Sequence, residues 1–131
     1  MYSSKNHCKF YLKAHLIFAT KDRRKILTGE IGKQVKKIMI EISNMSDFDI
    51  EEMEVDKDHI HLLVSYLPSR SISSIVNRLR SISTNRIWKS QETYLRKYYW
   101  YENFLWSDGY FVCSIGEAST ETIRKYIQQQ G

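Results

Sequence analysis

The sequence predicts an α+β domain with the ferredoxin-like, split βαβ order, in which an antiparallel sheet carries two crossover helices on one face. Three observations predict this class. Apolar residues alternate with a period of two near the amino terminus, two later stretches have the period of an amphipathic helix, and two short strand-like runs lie between those helices. A chain of 131 residues can build one core but not two ordinary ones, so residues 1–131 are predicted to form a single domain.

The first strand is predicted to begin at Phe10, because every second residue from there to Phe18 is apolar. A basic connection over residues 20–29 follows, and it contains Thr28, a residue type that can cap a helix. The next helix is predicted over residues 30–45. Its apolar stripe consists of Ile31, Val35, Ile38, Ile42 and Met45.

A hairpin is predicted next. Residues 48–55 and 59–66 have the composition of strands, and the polar residues 56–58 between them leave room for only a tight turn. The two strands should therefore pair antiparallel. Pro68 ends the hairpin because proline cannot donate a hydrogen bond to a sheet.

The remaining elements complete the order. A second amphipathic helix is predicted over residues 71–88, with Ser71 as its cap. The dipeptide Asp108-Gly109 predicts a turn into the last strand. Residues 119–130 add a carboxyl-terminal helix, which we expect to pack on an open face of the sheet or on a neighbouring molecule.

Charge is distributed unevenly along the chain. The net charge of +5 makes a polyanionic partner plausible without requiring one. Residues 47–58 hold seven acids and one lysine, whereas residues 70–97 hold seven bases and one acid. We therefore expect one region that attracts cations and another that attracts phosphate.

The cysteines and the hydropathy pattern indicate a cytoplasmic protein. Cys8 and Cys113 lie far apart and form no CxxC pair, so neither a disulfide framework nor a zinc ribbon is indicated. No apolar run approaches the roughly 20 residues that span a membrane, and the amino terminus lacks the apolar core of a secretory signal.

Two histidines have a spacing that suits metal binding. His59 and His61 are one residue apart on a predicted strand, so both side chains leave the same face from backbone positions about 7 Å apart. Asp56 and Asp58 lie just before them and could supply oxygen ligands or orient the rings. An exposed strand can carry two histidines without any function, but their position beside several acids, opposite a core-facing stripe, favours a site.

Two known histidine motifs are absent, which narrows the kind of metal site that the histidine pair could form. The histidine-triad hydrolases need a third histidine where this chain has Leu63, and the zinc motif HExxH is absent. Two histidines with few other ligands suit a hard, oxygen-coordinated Mg²⁺ or Mn²⁺ that also holds a phosphate, although imidazole would accept Zn²⁺.

Two residues of the last predicted helix share a face. Tyr126 and Gln130 are four residues apart, hence neighbours on a helix. Their spacing alone fits an ordinary packing role for the tyrosine, and nothing local distinguishes it from the other tyrosines of the chain.

Basic and aromatic side chains provide candidates for nucleic-acid contacts. Nine of the seventeen aromatic residues fall within residues 94–111, where burial in a core or an interface is a stronger expectation than base stacking. Lysines and arginines in residues 21–25 and 70–89 could neutralise phosphates, although most charged faces are only solvated. The DNA-binding candidates are Arg23, Arg24, Lys25 and Arg78.

Taken together, these segments resemble the single-tyrosine HUH transposases of the insertion-sequence 200/605 group (a Transposase 17-like family). The resemblance runs nearly from end to end. It is carried by His15–Leu27 (HLIFATKDRRKIL), Asp58–Ser65 (DHIHLLVS) with Pro68, Trp106–Val112 (WSDGYFV) and Tyr126–Gln130 (YIQQQ).

The resemblance implies a role for each motif residue. It implies that His59 and His61 bind a divalent metal, Mg²⁺ or Mn²⁺, with Gln130 as a third ligand. Asp56 matches an acidic residue of the family, and its role stays open between ligand and support. The tyrosine of the last helix, Tyr126, is implied to be the nucleophile.

The resemblance also implies an activity and partners. The implied activity is cleavage and rejoining of single-stranded DNA, with hairpins near the element ends as the recognised feature and a 5′-phosphotyrosine as the intermediate. It further implies a homodimer in which the tyrosine helix of one subunit serves the histidine pair of the other, although a cis arrangement stays open.

Two alternatives differ in class. The first is a non-catalytic module that binds single-stranded nucleic acid, but such folds carry aromatic residues on their central strands, where this chain has His59 and His61. The second is a related HUH nicking enzyme that serves replication, plasmid transfer or the mobilisation of palindromes. The DNA flanking the coding sequence would separate the second alternative from a transposase.

Overall fold

A computed structural model describes residues 12–114 of the chain. The strands and helices are β1 (Leu12–Ala19), α1 (Gly29–Asn44), β2 (Phe48–Val55), β3 (His59–Tyr66), α2 (Ile72–Leu95) and β4 (Phe111–Ser114). A short 3-10 turn, Lys21–Arg23, connects β1 to α1. The predicted start of the first strand at Phe10 and the predicted helix over residues 119–130 lie outside the described residues.

The four strands form one antiparallel sheet in the order β2-β3-β1-β4. The two strands of the predicted hairpin pair as expected and have the predicted bounds. With one helix between β1 and β2 and another between β3 and β4, this is the ferredoxin-like arrangement. The predicted α+β fold class is confirmed.

The core lies between the sheet and the two helices. Leu16 and Phe18 of β1 and Leu62 of β3 are almost completely buried, since the alternation of each strand sends them to the same face. They join the apolar stripes of both helices in one cluster, in which Val35 and Leu79 are fully buried. This packing fixes the register of the two central strands.

The opposite face of the sheet carries the two candidate histidines. His59 pairs with Ala19 and His61 pairs with Ile17 across the β1–β3 ladder. His15 lies on the same face, because it is two residues from Ile17 along β1. We call this surface, defined by His15, Ile17, His59, His61 and Glu54, the histidine face.

The starts of the two helices agree with the predictions, except for one capping bond. Ser71 caps α2 as predicted, since its hydroxyl accepts a hydrogen bond from the backbone N–H of Ser74 at 3.2 Å. Thr28 precedes α1 as predicted, but its side chain makes no capping hydrogen bond.

The second helix is also longer than predicted, because it continues past residue 88 to Leu95, which is buried in the core. The residues just before Leu95 are mostly polar, and Gln91 among them has a non-helical backbone. The apolar pattern is interrupted there, so the sequence does not indicate that the helix continues. Although α2 has 24 residues, no helix within residues 12–114 is apolar enough to cross a membrane.

Candidate active site

The candidate site is centred on β3, where His59 and His61 project from the same side of the strand. The sequence predicts that both rings point away from the helix-packed core, and the strand register places them so. Their burial differs: His59 is only 5% exposed, whereas His61 is half-buried. A histidine this enclosed needs defined partners for its ring nitrogens.

The partner of His59 is the residue directly before it. Nδ1 of His59 lies 3.0 Å from Oδ1 of Asp58, so this ring nitrogen donates its proton to the carboxylate. A neutral imidazole with its proton on Nδ1 presents the lone pair of Nε2. A carboxylate that fixes the tautomer of a histidine in this way is the usual support for a metal-binding imidazole.

The second oxygen of Asp58 contacts a basic residue. Nη2 of Arg23 lies 3.2 Å from Oδ2 of Asp58. Burial alone would raise the pKa of the Asp58 carboxyl, but the hydrogen bonds from His59 and Arg23 outweigh it and hold that pKa below its ordinary value. Asp58 is therefore a carboxylate that connects a guanidinium to an imidazole.

His61 has a different partner, on the neighbouring strand. Nε2 of His61 lies 2.9 Å from Nδ1 of His15, and the ring centroids are 5.1 Å apart. A single proton on this contact satisfies both nitrogens if both rings are neutral. The register of β1 against β3 creates the pair, since His15 is diagonal to His61 across the ladder.

Both rings of this pair favour the neutral form. Burial lowers the pKa of His61, and the neighbouring His15 lowers it further, while Glu54 and Glu52 act in the opposite direction without reversing the shift. Burial also lowers the pKa of His15, which Glu52 counteracts only in part. A neutral imidazole is the form that binds a metal ion.

Acidic residues border the site along β2. Glu54 is the cross-strand partner of His61, and Glu52 faces Leu63; both side chains are exposed. Asp56 lies in the turn before β3, where its carboxylate is exposed and accepts a hydrogen bond from the backbone N–H of Lys57 at 2.7 Å. The assignment of Asp56 as a metal ligand or support remains a prediction.

The donors of this face suit a divalent cation in part. His59 has Nε2 as its second ring nitrogen, the lowered pKa of His61 favours its neutral form, and the acids of β2 favour a positive charge nearby. No group of three or more His, Cys, Asp and Glu side chains within residues 12–114 is arranged as a complete metal site. Gln130, the third predicted ligand, and Tyr126, the predicted nucleophile, both lie outside the described part of the chain.

The DNA-binding candidates occupy different environments. Arg24 and Lys25 are exposed beside the 3-10 turn. Nε of Arg78, on α2, donates to the hydroxyl of Ser46, two residues after the end of α1, at 2.7 Å. Arg23 is the one of the four that contacts the histidine site, through Asp58. A role in DNA binding remains a prediction for each of them.

Two of these relationships do not follow from the sequence interpretation. The sequence assigns His15 only to the first strand, although the alternation of that strand contains a usable signal: once β1 pairs with β3, an odd-numbered residue of β1 shares a face with His59 and His61. The contact of Arg23 with Asp58 has no comparable signal, because it depends on a turn with an unusual backbone.

Comparison with known proteins identifies the family. The family model described as "Transposase IS200 like" matches residues 8–130. The ISDra2 transposase TnpA of Deinococcus radiodurans is 32% identical over 121 residues, which cover 92% of this chain and 85% of that protein. The transposase for insertion sequence element IS200 of Salmonella typhimurium is 32% identical over 124 residues, or 95% of this chain and 80% of that protein.

Solved structures agree with this result. A crystal structure from D. radiodurans R1, of a protein described as a transposase, has a TM-score of 0.81 and 28% identity, and the match covers 99% of this chain and 98% of that one. A REP-associated tyrosine transposase bound to a REP hairpin shares the fold with a TM-score of 0.58 at 14% identity, covering 93% of this chain and 67% of that one. Since the family model spans almost the whole sequence, this chain belongs to the IS200-like transposase family.

Proposed function

We propose that this transposase cleaves and rejoins single-stranded DNA through a 5′-phosphotyrosine on Tyr126, with a divalent metal held by His59 and His61. The observation that carries the proposal is the state of the two imidazoles. Nδ1 of His59 donates to Asp58, which leaves Nε2 as its second ring nitrogen, and burial lowers the pKa of His61 and so favours its neutral form; both rings lie on one face of the sheet. The REP hairpin bound to the related tyrosine transposase supports a folded DNA end as the substrate.

The chain would use its own side chains for binding and for nucleophilic attack. His59, His61 and Gln130 would hold Mg²⁺ or Mn²⁺, with Asp56 as a ligand or a support. When bound, such an ion supplies charge that polarises the scissile phosphate and stabilises the leaving 3′-oxygen. Arg24, Lys25 and Arg78 would neutralise other phosphates of the DNA.

The tyrosine performs the covalent step. The hydroxyl oxygen of Tyr126 attacks phosphorus in line, the bond from phosphorus to the 3′-oxygen breaks, and the products are a 5′-phosphotyrosine and a free 3′-hydroxyl. One phosphodiester replaces another, so a later 3′-hydroxyl can reverse the reaction without ATP. The ordinary pKa of tyrosine is about 10, so the hydroxyl has to lose its proton during the attack.

A covalent adduct tests this proposal. Labelled single-stranded DNA from the ends of the element, mixed with protein and Mg²⁺, should give a band that survives denaturation. Tyr126→Phe should abolish the band and keep hairpin binding. Tyr101→Phe, a change at an exposed tyrosine, serves as the matched control and should keep the band. An adduct with Tyr126→Phe would show that another residue is the nucleophile, and hairpin binding without any adduct in the wild type would indicate a binding module.

The homodimer and its trans active sites are also part of the proposal. Mixed dimers of Tyr126→Phe and His59→Ala distinguish the arrangements, because each variant alone lacks one half of the site. A trans arrangement restores one complete site, with the tyrosine of one subunit and the histidines of the other. Recovery of adduct in the mixture supports the trans arrangement, and no recovery in verified mixed dimers supports the cis arrangement.

A further inference from the structure

We infer that Arg23 is a positioning residue for His59, which acts through Asp58 rather than through a DNA phosphate. The inference rests on the proposed role of His59 as a metal ligand. In this arrangement Arg23 holds one oxygen of Asp58, the other oxygen holds Nδ1–H of His59, and the lone pair of Nε2 is kept available.

The contacts form one continuous path. Nη2 of Arg23 is 3.2 Å from Oδ2 of Asp58, and Oδ1 of the same carboxylate is 3.0 Å from Nδ1 of His59. The exposed fraction of the side chains falls along the path, from 30% for Arg23 to 11% for Asp58 and 7% for His59. Each oxygen of the enclosed carboxylate therefore has its own donor, which fixes the rotation of the carboxylate.

Arg23 reaches Asp58 from a 3-10 turn whose backbone has an unusual conformation. Asp22 and Arg23 have φ angles of 58° and 53°, in the left-handed region that residues with a side chain rarely adopt. Aspartate is tolerated there better than most residues, but arginine has no such advantage. Two consecutive residues in this conformation indicate that the surrounding contacts determine the turn.

The contacts that hold the turn include a hydrogen bond to the backbone of Asp58. The backbone N–H of Thr20 donates to the carbonyl oxygen of Asp58 at 2.9 Å. The hydroxyl of Thr20 donates to the carbonyl of Arg24 at 2.7 Å, and the N–H of Arg23 donates to the carbonyl of Thr20 at 3.0 Å. The turn is thus attached to the backbone of the same residue whose side chain Arg23 contacts.

Arg23 and its neighbour Arg24 differ in a way that allows a matched comparison. Both are arginines at the same turn, but Arg24 is exposed whereas Arg23 is half-buried on Asp58. A phosphate-binding role predicts similar effects of removing either charge. A positioning role predicts that only the change at Arg23 alters His59.

The experiment uses Arg23→Ala, Arg23→Lys and Arg24→Ala in the full chain. The ¹⁵N chemical shifts of the His59 ring in the metal-free protein report which nitrogen carries the proton. Titration calorimetry with Mn²⁺ reports the affinity of the site, and circular dichroism verifies folding. Loss of support from an outer residue typically weakens metal binding by about 10-fold or more.

Arg23→Ala should change the ¹⁵N shifts of His59 from those of a Nδ1–H imidazole towards a mixture of tautomers, and should raise the Kd for Mn²⁺ by about 10-fold. Arg23→Lys, which keeps a donor and the charge, should recover part of both effects and is informative even if the alanine variant does not fold. Arg24→Ala should leave both quantities unchanged while it weakens binding of single-stranded DNA.

One result would overturn the inference. If Arg23→Ala keeps the wild-type ¹⁵N shifts and Mn²⁺ affinity and loses DNA affinity to the same extent as Arg24→Ala, then Arg23 is a phosphate contact. If wild-type protein binds no Mn²⁺, the proposed metal site is wrong, but the ¹⁵N shifts of the metal-free protein still decide whether Arg23 fixes the imidazole.

Discussion

Nδ1 of His15 lies 2.9 Å from Nε2 of His61, so two strands that meet in the centre of the sheet each contribute an imidazole to one hydrogen bond. This bond occupies a nitrogen of one of the two proposed metal-binding residues. The hydrogen bond to His15 and a metal ion bound at Nε2 would use the same nitrogen of His61. His15 therefore competes with the metal ion for that nitrogen. Because β1 and β3 are neighbours in the sheet, the strand order determines that His61 has this partner.

The competition predicts a gain of affinity. His15→Ala should lower the Kd for Mn²⁺ by about fivefold, because a hydrogen bond has a net worth of about 1 kcal/mol and binding at Nε2 would no longer have to break it. Titration calorimetry measures this directly. Lys13→Ala, on the same strand and outside the histidine pair, is the control. Weaker Mn²⁺ binding by His15→Ala would show that His15 supports His61 instead.

The lowered pKa values of His15 and His61 predict a pH dependence of stability. Both rings bind fewer protons in the folded chain than in the unfolded chain, whose histidines titrate near pH 6.5. Their contribution is therefore fully present above about pH 6.5 and is lost as the pH falls through the lowered pKa values. Urea unfolding at pH 7.5, 6.5 and 5.5 should show a decreasing free energy of unfolding.

His15→Ala isolates this effect. The variant removes one titrating group and the partner of the other, so its free energy of unfolding should fall less between pH 7.5 and pH 5.5 than that of the wild type. An equal or steeper fall in the variant would contradict the assignment of the pH dependence to this pair.

The 3-10 turn depends on a buried tyrosine. The hydroxyl of Tyr99, which is only 2% exposed, donates to the carbonyl oxygen of Lys21 at 2.7 Å. Tyr99→Phe removes the shorter of the two hydrogen bonds to that carbonyl, which keeps the N–H of Arg24 at 3.4 Å, and should lower the free energy of unfolding by about 1 kcal/mol. Urea unfolding at pH 7.5 measures the change. Tyr101→Phe, at a tyrosine that is 61% exposed, should change stability by less than about 0.5 kcal/mol; equal losses would mean that the bond contributes nothing.

The cap of α2 allows a further test. Ser71→Ala should cost about 1 kcal/mol of stability, because the N–H of Ser74 loses its acceptor. Ser71→Asp, which provides another side-chain acceptor at the cap, should recover most of the loss. Thermal unfolding monitored by circular dichroism compares the two variants. An aspartate variant as unstable as the alanine variant would show that the cap hydrogen bond is not the cause.

Local signals explain why the strands are predictable. The bounds of β2 and β3 agree with the prediction because both strands are delimited by turn residues, and the bounds of α1 agree within one residue because its apolar stripe is regular. The end of α2 is not predictable, since the polar residues before Leu95 break the stripe that the helix continues.

The contacts of the site are predictable only in part. The shared face of His59 and His61 follows from the period of one strand, and Asp58 is adjacent in sequence. The contacts of His15 with His61 and of Arg23 with Asp58 join residues 46 and 35 positions apart. The alternation of β1 places His15 on the same face as His61, but the register between the strands and the left-handed turn leave no local pattern in the sequence.

The most direct test of the central claim is to locate the covalent bond. Protein incubated with single-stranded DNA from the ends of its element and Mg²⁺ is digested with nuclease and protease, and mass spectrometry identifies the peptide that carries a nucleotide. Of the nine tyrosines in the chain, Tyr126 alone should carry a 5′-linked nucleotide, and His59→Ala should abolish it. A nucleotide on a different residue, or on Tyr126 at wild-type level in the histidine variant, would contradict the proposed site.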